Sequence, residues 1–145
     1  MKYKKAESVL VIIYIKSSKQ VLLLQRFDDI YFWQSVTGSL EDNETPREAA
    51  LREVKEEIGI DIIKQNLILV DLQRSIYFDI FFYNLYRYAP GITKCKEYWF
   101  SLSLPYKQKI SLKEHLKFCW LPAYQAAALT KSWSNSQAIK EFIMK

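Results

Sequence analysis

Residues Thr45 to Gly59 carry a complete set of helix start and stop signals around an amphipathic, acid-rich segment, and no other stretch of the chain restricts the fold as much. Thr45 is suited to cap the first turn, Pro46 takes the first helical position where its missing N–H costs nothing, and Glu48 completes a capping box with Thr45. Gly59 follows Ile58 as a stop signal, so the spacing predicts a helix over Pro46 to Ile58. Leu51, Val54 and Ile58 form an apolar stripe that must be buried against another layer. Glu53, Glu56 and Glu57 fall within an arc of roughly 100° on a neighbouring face. Like charges at these spacings destabilise a helix by a few tenths of a kcal/mol per pair. Two readings follow: a solvated face partly neutralised by Arg52 and Lys55, or a face that holds a hard divalent cation. Mg²⁺ suits the second, because it takes one or two carboxylates, keeps several waters and binds phosphate oxygens.

The sequence around this helix reads mainly as strands. Ser8 to Ile15 and Gln20 to Gln25 are apolar on either side of the polar turn Lys16 to Lys19, which predicts a hairpin. Phe32 to Thr37 reads as a further strand, and Gly38 with Glu41 to Asn43 as a loop into the helix. Leu67 to Tyr88 alternates and is rich in aromatics, predicting two strands before a turn at Tyr88 to Gly91. Lys96 to Leu104 and Phe118 to Leu121 read as strands. Ala126 to Leu129 and Ser134 to Met144, with Ala138, Ile139, Phe142 and Ile143 at helical spacing, predict one or two closing helices. Strands on both sides of a central helix, with more helix at the end, predict an α/β (α+β) class with a mixed sheet sandwiched between helices.

With 145 residues, half of them apolar, and no linker or repeat, one domain over residues 1–145 is expected. The longest apolar runs, such as Val9 to Ile15, are far short of the ~20 residues that span a bilayer, and no signal-peptide pattern opens the chain, so a soluble cytoplasmic protein is expected. Cys95 and Cys119 fit neither a disulfide framework nor metal-ligand spacing and read as structural thiols. The net charge is +5, yet Glu41 to Glu57 carries seven acids against three bases. A basic surface around a concentrated acidic patch suits a metal site that receives a polyphosphate. The basic, aromatic composition also admits an RNA-binding module, but no RNP motif or glycine-rich RNA loop is present.

Gly38, Glu44, Arg52, Glu53, Val54, Glu56, Glu57, Gly59 and Ile60 occupy every defined position of the pattern G x5 E x7 R E U x E E x G U, where U is a bulky aliphatic residue. A random window satisfies it on the order of once in 10¹⁰ trials, which decides against the plain solvated face. This is the Nudix box, here residues 38–60, and the chain resembles the Nudix hydrolase family over nearly its whole length. The resemblance implies the Nudix fold, an α/β/α sandwich, and a pyrophosphohydrolase using Mg²⁺, with Mn²⁺ as a possible substitute. It implies that Glu53, Glu56 and Glu57 bind the metal, joined by the Gly38 carbonyl, that Arg52 orients a catalytic carboxylate and that Glu44 holds Arg52. It places Glu114 as a further metal ligand or general base, and implies in-line attack on phosphorus by a metal-activated water.

Phe32 to Ser39, Arg87 to Gly91 and Ala128 to Asn135 resemble the bacterial Nudix subgroup that cleaves 7,8-dihydroneopterin triphosphate to the monophosphate and pyrophosphate in folate biosynthesis. On that resemblance Arg26 and Lys4 meet phosphate charge, Thr37 and Ser132 donate hydroxyl hydrogen bonds, and Phe78, Asp79, Ile80 and Phe81 hold the flat heterocycle. His115 reads as a surface or packing residue. The expected partner is a pterin or nucleoside triphosphate, with no membrane or nucleic-acid partner and the oligomeric state open. The alternatives within the family are nucleoside triphosphates, dinucleoside polyphosphates and RNA 5′ ends.

Overall fold

Strand β1 (Glu7–Ile15) is buried on both faces, the pattern of a strand with a layer on each side. Its alternation sorts the core. Val9, Val11, Ile13 and Ile15 pack with Ala49, Ala50, Val54 and Ile58 of helix α1 (Pro46–Ile58). Leu10 and Ile12 pack on the opposite side with Ala126 and Ala127 of α2 (Ala123–Leu129) and Ala138 and Ile139 of α3 (Trp133–Phe142). The computed structural model, which describes residues 2–145, is therefore the expected sandwich of helices about a mixed sheet; Met1, included in the expected domain, lies outside the described residues.

The remaining strands are β2 (Gln20–Gln25), β3 (Trp33–Gln34), β4 (Val36–Ser39), β5 (Leu69–Asp79), β6 (Lys94–Leu104) and β7 (Phe118–Pro122). They form a seven-stranded sheet ordered β3-β2-β1-β6-β5, with β4 also on β1 and β7 also on β2. β1 and β6 run parallel from Glu7↔Lys96 to Ile15↔Leu104, and the other pairs are antiparallel. The free edge of β1 is shared: β4 takes Ser8 to Val11, while β2 meets it at Tyr14↔Val21. The sheet forks between β4 and the β2–β3 pair, and the fork opens a cleft. Among the described residues no helix is long and apolar enough to cross a membrane.

Three expectations need correction. Phe32 to Thr37 is not one strand. It breaks at Ser35, whose N–H donates to Asn135 Oδ1 at 2.8 Å and whose hydroxyl accepts from Asn135 Nδ2 at 2.9 Å. Gly38 lies within β4, paired with Val9, not in a loop. Leu67 to Tyr88 supplies one strand, followed by a 3-10 helix over Phe82–Arg87. β6 begins only at Lys94; the Ile80 N–H still reaches the Thr93 carbonyl at 2.9 Å, but beyond it local bonds such as Asn84 N–H to the Phe81 carbonyl at 2.8 Å satisfy the backbone.

Candidate active site

Helix α1 has the predicted boundaries. The Thr45 hydroxyl accepts from the Glu48 N–H at 3.1 Å, the Glu48 carboxylate accepts from the Thr45 N–H at 2.9 Å, and Gly59 closes the helix at φ 77°. Ala49 and Ala50, with Val54 and Ile58, carry most of the burial, and Leu51 sits at the margin of the core. This anchoring turns the acidic face toward the β4 edge. Glu53 lies so close to Gly38 that a Cβ on that glycine would fall 1.3 Å from Glu53 Oε2.

Arg52 organises the acids around it. Its Nε and Nη2 each donate to Glu44 at 2.8 Å in a two-pronged pair, Nη2 also reaches the Ser39 carbonyl at 3.0 Å, and Nη1 bridges Glu53 at 2.8 Å and Glu56 at 3.3 Å. The geometry matches the rigid guanidinium fork. The Arg52 hydrogen bonds hold the Glu44 carboxyl below its usual range, and the same contacts raise the proton affinity of Arg52.

Glu53 and Glu57 are shifted the other way. Burial, together with the neighbouring Glu56, pushes Glu53 up to about 7 against the pull of Arg52. Burial and the Glu53 charge push Glu57 up to about 10, against a lowering contact with the Thr37 backbone. Glu57 Oε1 is buried without a hydrogen-bond partner, and His115 Nε2 stands 3.9 Å from it. That imidazole does not neutralise the acid, because burial holds its own proton affinity below normal. Among the described residues no three His, Cys, Asp or Glu side chains are already closed about one point, with Arg52 occupying the space between Glu53 and Glu56. The donor set still fits a divalent cation: hard carboxylate oxygens, repulsion between Glu53 and Glu57 that Arg52 meets only on the Glu53 side, and an orphaned buried oxygen on Glu57.

The acidic face opens into a cavity of about 650 Å³ that occupies the fork of the sheet. Every residue expected to contact metal or substrate lines it: Lys4, Arg26, Thr37, Gly38, Glu53, Glu56, Glu57, Phe78, Asp79, Ile80, Phe81, Glu114 and Ser132. Arg52 and Glu44 stand behind this wall. Thr37 differs from the expected hydroxyl donor, because its hydrogen is committed to the Val9 carbonyl at 2.8 Å, leaving acceptor capacity only. Arg26 forms a two-pronged pair with Asp28 at 2.8 and 2.6 Å, and Asp79 is held by Lys94 at 2.6 Å. Burial, then the Arg87 charge, lowers the proton affinity of Lys4. Ser132 caps α3, accepting from the Asn135 N–H at 3.3 Å. His115 is not a plain surface residue but part of the lining, beside Glu57. Sequence reasoning missed Arg87, Glu97, Lys113, Lys131 and Asn135, which also line the cavity. For Glu97 a signal existed: it is the one acid in β6, and strand alternation puts it on the same face as the buried Cys95 and Trp99.

Comparison with known proteins agrees with this arrangement. The chain is 54% identical over 142 residues to the dihydroneopterin triphosphate diphosphatase of Escherichia coli K12, covering 98% of this chain and 95% of that protein. It is 48% identical over 143 residues to the protein of the same name from Haemophilus influenzae, covering 99% and 90%. The solved structure of the E. coli dihydroneopterin triphosphate pyrophosphohydrolase superposes with a TM-score of 0.95 at 53% identity, covering 99% of both chains. The NUDIX domain model matches residues 4–142. With that model matched over residues 4–142 and relatives 54% and 48% identical over nearly their whole length, the chain belongs to the Nudix family of hydrolases.

Proposed function

We propose that this protein hydrolyses 7,8-dihydroneopterin triphosphate to dihydroneopterin monophosphate and pyrophosphate, with Mg²⁺ as its metal and Mn²⁺ as a substitute. The observation that carries the reading is the composition of one cavity, lined by carboxylates of α1, by the cations Lys4, Arg26 and Arg87, and by the apolar side chains of Phe78, Ile80 and Phe81. The names of the E. coli and H. influenzae relatives support the substrate. Glu53, Glu56, Glu57 and Glu114, with the Gly38 carbonyl, are the groups that would hold the cation. When bound, it supplies Lewis-acid stabilisation of phosphate charge and lowers the pKa of water.

The chain's own residues do the rest. Arg52, fixed by Glu44, sets the Glu53 carboxylate against Gly38. Lys4, Arg26 and Arg87 offset the polyphosphate charge and orient it for in-line displacement. Glu57 and Glu114 border the same space, and either carboxylate can accept the proton from attacking water. The aromatic wall supports the pterin ring. We place the reaction in the cytoplasm, where Cys95 and Cys119 stay free thiols. The test is product analysis with dihydroneopterin triphosphate in ¹⁸O-labelled water, alongside a nucleotide panel. The reading requires monophosphate plus pyrophosphate, label in one of them, and the pterin substrate leading in kcat/KM. Release of inorganic phosphate, or nucleotides ranking well above the pterin, overturns it.

A further inference from the structure

Glu97 is a buried carboxylate that the chemistry above does not use. It is 5% exposed and lies on β6 opposite Ser8 of β1. Its Oε1 accepts from Trp99 Nε1 at 3.0 Å, and the Ser134 hydroxyl of α3 also acts on it. No Lys, Arg or His pairs with it among the described residues. A buried acid without a counter-charge is costly to ionise, and further donors brought by a ligand offset that cost. The route is open, because Glu97 lines the cavity along with Ser8, Leu10 and Cys95 of the same sheet face.

Its place along the cavity is informative. Cys95, next but one to Glu97 and on the same side of β6, pairs with Phe78 of β5, the start of the apolar wall. Across the sheet, Ser8 pairs with both Glu97 and Ser39, the neighbour of Gly38. Two strand spacings therefore separate Glu97 from the β4 edge, about 10 Å at the backbone. A bicyclic ring carrying a three-carbon chain also spans about 10 Å between its far edge and its first phosphate, from bonds of ~1.5 Å.

We propose that Glu97 is the specificity-determining residue that reads the amino-pyrimidinone edge of the substrate's pterin, accepting from the ring N3–H and the 2-amino group. The inference rests on the pterin reading above and deepens it. Those two donors are adjacent and coplanar, so a single carboxylate receives both, as it does a guanidinium. An adenine presents a donor beside an acceptor, and a carboxylate is repelled by the acceptor. Burial raises the proton affinity of Glu97 in the free protein, and a ligand bringing two donors favours the ionised form.

The experiment compares wild type and Glu97→Gln with dihydroneopterin triphosphate and ATP. The amide keeps the acceptor for Trp99 but offers one acceptor and one donor to the ligand, a match for adenine and a mismatch for the pterin. The ratio of kcat/KM for the pterin substrate over that for ATP is expected to fall about 10- to 100-fold, the effect of losing a hydrogen bond to a charged group. A second measurement needs no variant: 6-hydroxymethylpterin is expected to inhibit the wild type at least about 10 times better than the corresponding lumazine, whose 2-oxo group faces the carboxylate with an acceptor. An unchanged ratio in Glu97→Gln, or equal inhibition by pterin and lumazine, overturns the role of Glu97 while a wild-type preference for dihydroneopterin triphosphate leaves the substrate standing. A wild type with no such preference overturns both.

Discussion

Replacing Arg52 by lysine keeps the positive charge and removes the fork, which separates geometry from charge at the point where the acidic face is assembled. The guanidinium donates to Glu44 twice, to the Ser39 carbonyl, to Glu53 and to Glu56. An ammonium has three donors and cannot span the same acceptors, so at least two bonds are lost beside carboxylates that are largely shielded. A hydrogen bond to a charged group is worth roughly 1.5–3 kcal/mol, and partial solvation of Arg52 and the retained charge reduce the total, giving a loss of about 2–3 kcal/mol. In a chain of this size that lowers Tm by about 5–10 °C. Urea unfolding in the presence of a chelator is the assay, with an unchanged m-value confirming the same two states. A double-mutant cycle with Glu44→Gln is expected to show a coupling of about 1–2 kcal/mol. With Glu53 released from its anchor, kcat is expected to fall on the order of 100-fold. An Arg52→Lys variant within about 0.5 kcal/mol of wild type, or a coupling near zero, refutes the reasoning.

Gly38→Ala places a methyl where Glu53 Oε2 lies; because the obstructed group is the end of a flexible side chain, unfolding in urea is expected to shift by less than about 2 kcal/mol while activity drops on the order of 100-fold. Asn135→Ala leaves the buried Ser35 N–H without its acceptor, and calorimetry is expected to show a loss of about 2–3 kcal/mol. The pH dependence of the metal-free protein has a defined sign. Glu53 and Glu57 retain protons that unfolded glutamates near 4.5 have released, so stability from this source is full below pH 4.5 and is lost as pH rises toward about 7 for Glu53 and about 10 for Glu57. Tm in chelator is therefore expected to decline between pH 5 and 8, Glu57→Gln to flatten that decline, and Mg²⁺ to raise Tm more at pH 8 than at pH 5. A slope that Glu57→Gln leaves untouched contradicts the assignment of the burial cost to Glu57.

Local chemistry is what the sequence makes legible. Thr45, Pro46, Glu48 and Gly59 act within one turn of where they stand, so both ends of α1 can be read directly. The arc of Glu53, Glu56 and Glu57 follows from helical periodicity alone. The parallel pairing of β1 with β6 and the fork between β3 and β4 depend on contacts nearly a hundred residues apart, which leave no local signature. Phe82, Tyr83 and Tyr86 look like strand residues by composition, yet they are exposed on a 3-10 helix because no neighbouring strand reaches them. The same limit explains the site. The box supplies the metal end, whereas Glu97, Arg87 and Asn135 enter the cavity only through topology.

If the acidic face of α1 gathers divalent cations beside Gly38, the ions must be visible there in a loaded crystal. Crystals grown with Mn²⁺ and a non-hydrolysable substrate analogue, measured at a wavelength where manganese scatters anomalously, test it most directly. An anomalous peak is expected among the oxygens of Glu53, Glu56 and Glu57 and the Gly38 carbonyl, with ligand distances near 2.1 Å. No peak there, with Glu57 Oε1 still unpartnered, would contradict cation binding at this face.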